Sequence, residues 1–236
     1  MDDAFHKFPH TPHLFWLGDG TPREDKVLSK IEADGFLSGE VVVEEKVDGA
    51  NLGISVGSDG RICAQSRVNF LNPAHCHAQW KPLWPWLMRR EDDLIEALGR
   101  DLVLFGEWCH AKHTVPYDEL PDWFLEFDVF QAGSRRFWST ERRNDLLHQL
   151  GIHPIPEKHR GNLTRQQLMR FIGTSSVGSG PAEGIYLRRE EADFLLQRAK
   201  VVGPAFKQQI VAHWTRKPLV PNKLGRGYGR SCLAVG

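Results

Sequence analysis

Six charged side chains stand at or near the ends of apolar segments, where a lone charge is costly to bury. The first is Lys46, which follows the apolar run 41–43 and two acidic residues. Three of the six are basic and three are acidic: Lys46, Arg67, Glu107, Asp128, Glu183 and Lys200. Because opposite charges offset each other's desolvation, we expect the six to converge on one cleft.

Such a set suits attack by a lysine amine on a phosphorus atom. A lysine is a nucleophile when its amine is neutral, and we expect burial and nearby cations to lower the pKa of Lys46. The acids are hard oxygen ligands that could hold Mg²⁺. Cations and a metal ion would stabilise charge on the phosphate oxygens and on a leaving pyrophosphate.

Alternating short apolar segments and turn signals predict the elements that must position these residues. Strands are expected at 41–46, 52–57, 61–66, 101–108 and 123–130, followed by a hairpin of 184–190 with 194–202. Helices are expected near 26–33, over 75–99 with breaks at Pro82 and Pro85, and at 140–150, 164–172 and 203–214. This order favours an α+β fold, mostly antiparallel, in one domain.

Composition is that of an ordinary globular protein of 236 residues with a formal net charge of zero. No run is apolar enough to span a membrane, no secretory signal is recognisable, and the four cysteines are widely spaced. We therefore expect a cytoplasmic protein that does not contact a membrane. After Asp193 the chain has no acidic residue but eight basic ones, which could form a surface for phosphates or a solvated basic end.

Six short motifs in a fixed order then resemble the covalent nucleotidyltransferases, which are the ATP-dependent ligases and RNA capping enzymes. In chain order they are EKVDG (45–49), SR (66–67), FGEW (105–108), FDVF (127–130), EGIYLR (183–188) and RAKVV (198–202). Within this superfamily the chain resembles the ATP-dependent RNA ligases that join a 3′-OH to a 5′-phosphate. EKVDGANLGI (45–54) and HWTRKPLVPNKL (213–224) are both similar to segments of small RNA ligases.

The resemblance implies a role for each matching residue. Lys46 would take AMP from ATP as a phosphoramidate, with Asp48 and Glu183 holding Mg²⁺ or Mn²⁺ and Lys200 and Arg198 contacting phosphate. The implied nucleotide-binding residues are Glu45 at the adenine amino group, Lys46, Asn51, Arg67 near the ribose and phosphate, Glu107 on the ribose hydroxyls, Phe127 on the adenine ring, Glu183 and Lys200. Asp128 would support the site beside Phe127.

The resemblance also implies a single nucleotidyltransferase (ATP-grasp-like) domain with flanking helices. We expect this domain at 1–203 and a short basic helix and tail at 204–236. Only 36 residues follow Lys200, which predicts no OB domain and makes the basic tail the candidate grip on RNA. The last motif often carries two lysines, and Arg198 stands in place of the first, where arginine keeps the charge.

Three alternatives stay open at this point. The chain could seal nicks in DNA or RNA/DNA hybrids, it could be a nucleotide-binding module without catalysis, or it could be a capping-type guanylyltransferase. The expected partners are ATP and RNA with 3′-OH and 5′-phosphate ends, and end-healing proteins are possible partners. The sequence does not distinguish nicks, tRNA breaks and single-stranded ends.

Several other polar or aromatic residues have simpler interpretations. We expect Glu44 to be a solvated neighbour of the chemistry, and Arg142 with Arg143 to form a solvated helix face. Cys109 is expected to be a small buried residue. The tryptophans at 80, 84 and 86 are expected to pack rather than to stack on bases.

Overall fold

Two sheets make up the centre of the computed structural model, which describes residues 4–18, 26–204, 206 and 218–226. The strands are β1 (Val41–Lys46), β2 (Ala50–Val56), β3 (Ile62–Gln65), β4 (Leu102–Trp108), β5 (Phe124–Gln131), β6 (Arg136–Phe137), β7 (His153–Pro154), β8 (Glu157–Gly161), β9 (Gly184–Glu191) and β10 (Phe194–Val202). The helices are α1 (Lys30–Phe36), α2 (Leu83–Met88), α3 (Glu91–Leu98), α4 (Thr140–Leu150) and α5 (Arg165–Leu168).

One sheet has four strands in the order β10–β9–β1–β8, and the other has the order β3–β2–β4–β5–β6 with β7 beside β5. The β5–β7 pair is parallel, and the other pairs between these strands are antiparallel. The α+β, mostly antiparallel fold expected from the sequence is confirmed.

Side-chain alternation decides what each face of the four-stranded sheet carries. Val41, Val43, Ile185 and Val201 pack on one face, in a core shared with Phe36 of α1 and Leu168 of α5. The intervening residues point to the other face, which meets the six-stranded sheet. Period-2 alternation therefore directs charged side chains from β1, β9 and β10 toward the space between the sheets.

The helices α2, α3 and α4 cover the far face of the six-stranded sheet. Leu52, Ile54 and Leu104 of the sheet pack there with helix residues such as Trp86 and Leu147. The expected packing role of the tryptophans holds for Trp86, which is 1% exposed, and for Trp80, which is 6% exposed. This buried layer fixes the sheet that carries Asn51, Glu107 and Phe127.

Most predicted elements are present, with shifted ends. The five early strands, the hairpin and α4 lie where the sequence places them. The first helix begins later than expected because Ser29 and Glu32 form a capping box. Two 3-10 turns, Pro73–His75 and Ala78–Trp80, precede α2 and α3 in the region predicted as one broken helix. Pro82 caps α2, whereas Pro85 sits in its first turn and does not break it.

Two expectations concern the end of the chain. The helix predicted at 203–214 falls mainly outside the described residues, as do Lys207, Arg216, Lys217 and Arg230. The division at 203/204 stays a prediction.

Within the described part of the chain, no helix has the length and apolar character needed to cross a membrane. The cytoplasmic location also stays a prediction.

Candidate active site

A cleft of about 900 Å³ lies at the end of β1, between the two sheets. It contains nine of the eleven residues that the sequence assigns to a site. They are Glu45, Lys46, Asp48, Asn51, Arg67, Glu107, Phe127, Glu183 and Lys200. The residues predicted from the sequence therefore line one cleft, although they come from five strands and three connecting segments.

Lys46 is the last residue of β1 and pairs with Gly184 of β9. Its Nζ donates to Glu183 Oε2 at 2.6 Å. Burial on its own would lower the pKa of Lys46, but Glu183, Glu107 and Asp48 outweigh it and raise that pKa above its usual value. The expected lowering of the lysine pKa is wrong for the protein without nucleotide, since acids rather than cations are its nearest charges.

Burial raises the pKa of both acids that lie beside Lys46. Burial, opposed by Lys46, raises the pKa of Glu183 to about 7. Burial, again opposed by Lys46, raises the pKa of Glu107 to about 8, and Glu107 Oε2 is a buried atom with no hydrogen-bond partner. Both carboxyls therefore titrate near neutral pH and would become better acceptors when a cation or a hydroxyl donor arrives.

Asp48 is held by a loop that follows β4. Its Oδ2 accepts from the backbone N–H groups of Thr114 at 2.7 Å and Val115 at 2.9 Å. Its own N–H donates to the hydroxyl of Tyr117 at 2.7 Å. Three hydrogen bonds thus fix the backbone and the carboxylate of Asp48 two residues after Lys46.

Gly49 lets the chain turn directly against β4. A Cβ at this position would lie 3.0 Å from Glu107 Cβ, 3.1 Å from Cys109 Sγ and 3.1 Å from the Trp108 carbonyl oxygen. The glycine is needed for this close approach. It brings Asp48 and Lys46 to the same cleft as Glu107, while Asn51 faces Glu107 across the β2–β4 pair.

The opposite wall carries Glu45 and Phe127. The Glu45 carboxylate is fully buried and accepts from the Ser175 hydroxyl and from the Ser176 N–H at 2.7 Å, and Lys158 Nζ lies 3.1 Å away. Phe127 is 8% exposed and packs edge-on against Phe8, with ring centroids 5.0 Å apart. This wall therefore combines an aromatic ring with a carboxylate whose orientation is fixed.

Asp128 and Arg198 are the predicted site residues that lie outside the lining of this cleft, so five of the six charges expected to converge there line it. The second of the two, Arg198, forms an ion pair with the buried Asp128. Its Nη1 donates to Asp128 Oδ2 at 3.0 Å, and its guanidinium lies 3.8 Å from the centre of the Phe137 ring. Lys200, two residues later on the same face of β10, lines the cleft. The structure thus separates the two cations of the last motif.

Two expectations about neighbouring charges are wrong. Glu44 is fully buried, not solvated, and Arg143 is 1% exposed, not part of a solvated face. Arg143 Nη2 donates to Glu44 Oε1 at 2.6 Å, and its Nη1 donates to the Phe127 carbonyl at 2.7 Å. Alternation along β1 could have revealed this, because Glu44 and Lys46 share a face.

Arg188 is a further buried residue that the sequence analysis missed. It forms an ion pair with Asp128 and donates to the Phe127 carbonyl at 3.0 Å. Arg143 and Arg188 therefore hold the same backbone oxygen from two sides. Cys109 is fully buried, as expected for a small packed residue.

The donor set suits a metal ion that substrate oxygens also bind. Within the described residues, no three His, Cys, Asp or Glu side chains are grouped so that they could hold a metal on their own. Mg²⁺ is usually bound through one or two carboxylates together with phosphate oxygens. Asp48 and Glu183 provide such carboxylates beside the unpartnered Glu107 oxygen.

Comparison with known proteins places this arrangement in a family. A family model described as RNA ligase matches residues 39–202, which include Lys46 and Lys200. A search of curated protein sequences finds no match.

A variant of a Naegleria gruberi RNA ligase with ATP and Mn is 18% identical, with a TM-score of 0.62, and the match covers 89% of this chain and 60% of that one. The Naegleria gruberi RNA ligase with PPi is 19% identical, with a TM-score of 0.60 and coverage of 86% and 64%. An archaeal ATP-dependent RNA ligase is 19% identical, with a TM-score of 0.56 and coverage of 85% and 49%.

At these identities the likeness shows a shared fold, and the chain spans about 60% of the length of the first of these proteins. The family model matches more than half of this chain, and this match shows the family to which the chain belongs. The chain belongs to the RNA ligase family.

Proposed function

We propose that this chain is an ATP-dependent RNA ligase that joins 3′-OH and 5′-phosphate ends through a covalent lysyl-AMP intermediate. The observation that carries the proposal is the position of Lys46, whose Nζ lies 2.6 Å from Glu183 Oε2 in a cleft shared with Asp48 and Lys200. The solved relatives with ATP and Mn or with PPi support a nucleotide and a divalent metal as ligands of this cleft.

In the first step the Nζ atom of Lys46 forms a bond to the α-phosphorus of ATP. The bond from that phosphorus to the bridging oxygen breaks, and pyrophosphate leaves. The Lys46 ammonium must lose a proton first, and Glu183 is placed to accept it because it already accepts a hydrogen bond from Nζ. Lys200 would contact the α-phosphate as charge develops on it.

In the second step an oxygen of the RNA 5′-phosphate attacks the same phosphorus, and the bond to Lys46 breaks. In the third step a 3′-OH attacks the activated 5′-phosphate and AMP leaves with the bonding electrons. A bound Mg²⁺ or Mn²⁺ would supply charge stabilisation and orientation. Asp48 and Glu183 are the residues that would hold it.

The nucleotide would enter with its base against Phe127 and Glu45. Phe127 offers an aromatic surface, and the Glu45 carboxylate is fixed in orientation by Ser175 and Ser176. The hydroxyls of the ribose would fit Glu107, whose buried Oε2 has no partner in the protein. Arg67 lines the cleft at the loop after β3, where it would meet ribose or phosphate oxygens.

Labelling with ATP that carries ³²P at the α-phosphate, with magnesium, tests the first step. We expect a labelled protein band after denaturing electrophoresis, and we expect Lys46→Ala to abolish it. Lys30→Ala is the matched control, since Lys30 is an exposed residue of α1 and does not line the cleft. An unlabelled parent protein, shown to be free of bound AMP, would contradict the proposal.

Matched nicked duplexes of RNA, of DNA and of RNA/DNA hybrid then test the polynucleotide. We expect sealing of RNA ends. Sealing of DNA alone would overturn the RNA assignment while leaving the lysyl-AMP step intact.

A further inference from the structure

The segment 218–226, here called the C-terminal segment, lies along the loop that follows β4. Backbone N–H groups of the segment donate to this loop at three points: Asn222 to His110 at 2.9 Å, Lys223 to Tyr117 at 2.9 Å and Gly225 to Leu120 at 2.8 Å. In return, Lys112 N–H donates to the Val220 carbonyl at 2.8 Å. The segment is thus bound to both ends of the loop.

Asn222 joins the two ends of the loop through its side chain. It is 5% exposed, and its Nδ2 donates to the Cys109 carbonyl at 2.8 Å. Its Oδ1 accepts from the Tyr117 N–H at 2.9 Å. Both halves of the amide are therefore used inside the protein, and a residue without the amide would leave a buried N–H and a buried carbonyl unpaired.

The same loop holds Asp48. Thr114 and Val115, which lie between the two points that Asn222 fixes, donate their N–H groups to Asp48 Oδ2. Tyr117, whose N–H Asn222 accepts, is 2% exposed and receives the Asp48 N–H on its hydroxyl. Other contacts also hold the loop, among them the hydrogen bond from the Cys109 N–H to the Trp123 carbonyl at 2.7 Å and the contact of His113 with Gln79 at 3.2 Å. Asn222 adds the side-chain link that joins Cys109 to Tyr117 across the loop.

We propose that Asn222 is a positioning residue for self-adenylylation, which fixes the loop 109–117 so that its backbone orients Asp48 beside Lys46. This inference rests on the proposed function, in which Asp48 binds the metal. It gives part of the basic tail a role in positioning Asp48, distinct from any binding of RNA. The two roles fall on different residues, because Asn222 is buried whereas Lys223 and Arg226 of the same segment are exposed.

The test compares Asn222→Ala with Val220→Ala in the full-length chain. Val220 belongs to the same segment but is 55% exposed, so truncating its side chain leaves the backbone hydrogen bonds in place. We measure the rate of self-adenylylation against magnesium concentration and against ATP concentration. Hydrogen exchange in peptides that cover 109–118 provides a readout that does not depend on activity.

For Asn222→Ala we expect a self-adenylylation rate about tenfold lower at limiting magnesium. We also expect a raised half-saturating magnesium concentration, a smaller change in the ATP dependence, and faster exchange in the loop. Equal magnesium dependence and equal exchange in the two variants would overturn the inference. If the parent protein itself is not labelled, the proposed function fails and the inference fails with it. If the parent is labelled but the two variants behave alike, only the inference fails.

Two milder variants cover the case in which Asn222→Ala does not fold. Asn222→Ser shortens the side chain so that it cannot reach both partners, and Tyr117→Phe removes only the hydroxyl that Asp48 uses. We expect both to raise the magnesium requirement. If Asn222→Ser does not raise it, the inference is wrong, whatever the result for Tyr117→Phe.

Discussion

Arg143 and Glu44 form an ion pair across 99 residues of chain, with Nη2 and Oε1 2.6 Å apart and both side chains at most 1% exposed. The pair joins α4 to β1, two residues before Lys46. Arg143 also donates to the Phe127 carbonyl on the other sheet. One buried guanidinium therefore ties the strand of the nucleophile to the strand of the aromatic wall.

Replacing Arg143 by alanine is expected to destabilise the protein strongly. Removing one partner of a buried pair typically costs about 3–5 kcal/mol of unfolding free energy, and here it leaves Glu44 with the more distant Arg188, at 4.0 Å. Chemical denaturation of Arg143→Ala measures this loss. We also expect a higher KM for ATP in the labelling assay, since the Phe127 backbone loses a donor.

Gln149→Ala is the matched control, because Gln149 is exposed on the same helix. Its unfolding free energy should stay within about 0.5 kcal/mol of the parent value. The double variant Glu44→Gln with Arg143→Met should recover part of the loss, since Glu44 then carries no charge, although Glu126, which lies 3.4 Å from Arg143, still loses its partner. Equal stability of Arg143→Ala and Gln149→Ala would show that the pair contributes nothing.

The acids of the cleft predict how stability depends on pH. The pKa of Glu107 is raised to about 8 and that of Glu183 to about 7, chiefly by burial. Above the ordinary glutamate pKa of about 4.5 the unfolded chain has lost these protons while the folded protein keeps them. Their contribution to stability is therefore complete at low pH and is lost as pH rises toward 8.

Urea unfolding at pH 5 and pH 8, without nucleotide or metal, measures this slope. Each group can contribute up to about 1.4 kcal/mol per pH unit within its window. Glu107→Gln should flatten the dependence, whereas Glu96→Gln, on the exposed face of α3, should leave it unchanged. A Glu107→Gln slope equal to that of the parent protein would exclude a protonated Glu107 at neutral pH.

Gly49→Ala tests the close approach of the Lys46 turn to β4. The added Cβ would lie 3.1 Å from a backbone oxygen and 3.0 Å from Glu107 Cβ, so its neighbours must give by a few tenths of an ångström. We expect a loss of about 1–3 kcal/mol in unfolding free energy, together with a slower labelling rate. Gly173→Ala is the control, since a Cβ there meets nothing within 4 Å.

An unchanged labelling rate in Gly49→Ala would mean that the turn tolerates displacement. The geometry of Lys46 and Glu107 would then matter less to the first step than the distances imply. Thermal unfolding of the same variant would show whether the backbone has relaxed.

The sequence predicted the cleft better than the interactions that surround it. Lys46, Glu107 and Lys200 could be assigned to the cleft because each interrupts an apolar strand, and the alternation of a strand can be recognised from the sequence alone. The polar strand β8 (EKHRG) has no such pattern and was missed. Its position is set by pairing with β1, which only tertiary structure shows.

The buried arginines were missed for a related reason. Arg143 lies in an otherwise polar helix, where a solvated face is the ordinary interpretation. Its burial depends on Glu44, whose own burial depends on the six-stranded sheet. No local sequence pattern predicts the role of Asn222 either, since its two hydrogen-bond partners lie 113 and 105 residues away in the chain.

Arg198 gives the last prediction, because the resemblance treats it as a phosphate contact while the structure places it on Asp128. Its guanidinium lies over the rings of Phe137 and Phe8, and it lies outside the lining of the cleft. We expect Arg198→Lys to lower the unfolding free energy by about 1 kcal/mol, since lysine loses the planar stacking. We expect the labelling rate to fall less than about threefold, because Arg198 contacts Asp128 and two aromatic rings and does not contact phosphate.

Lys200→Arg is the matched exchange on the same face of β10. It keeps the charge but alters the geometry of a residue that lines the cleft, so its labelling rate should fall by about tenfold or more. The pair of variants separates two roles that one motif combines. If Arg198→Lys slows labelling as much as Lys200→Arg while leaving stability unchanged, Arg198 contacts the nucleotide and must turn away from Asp128 when ATP binds.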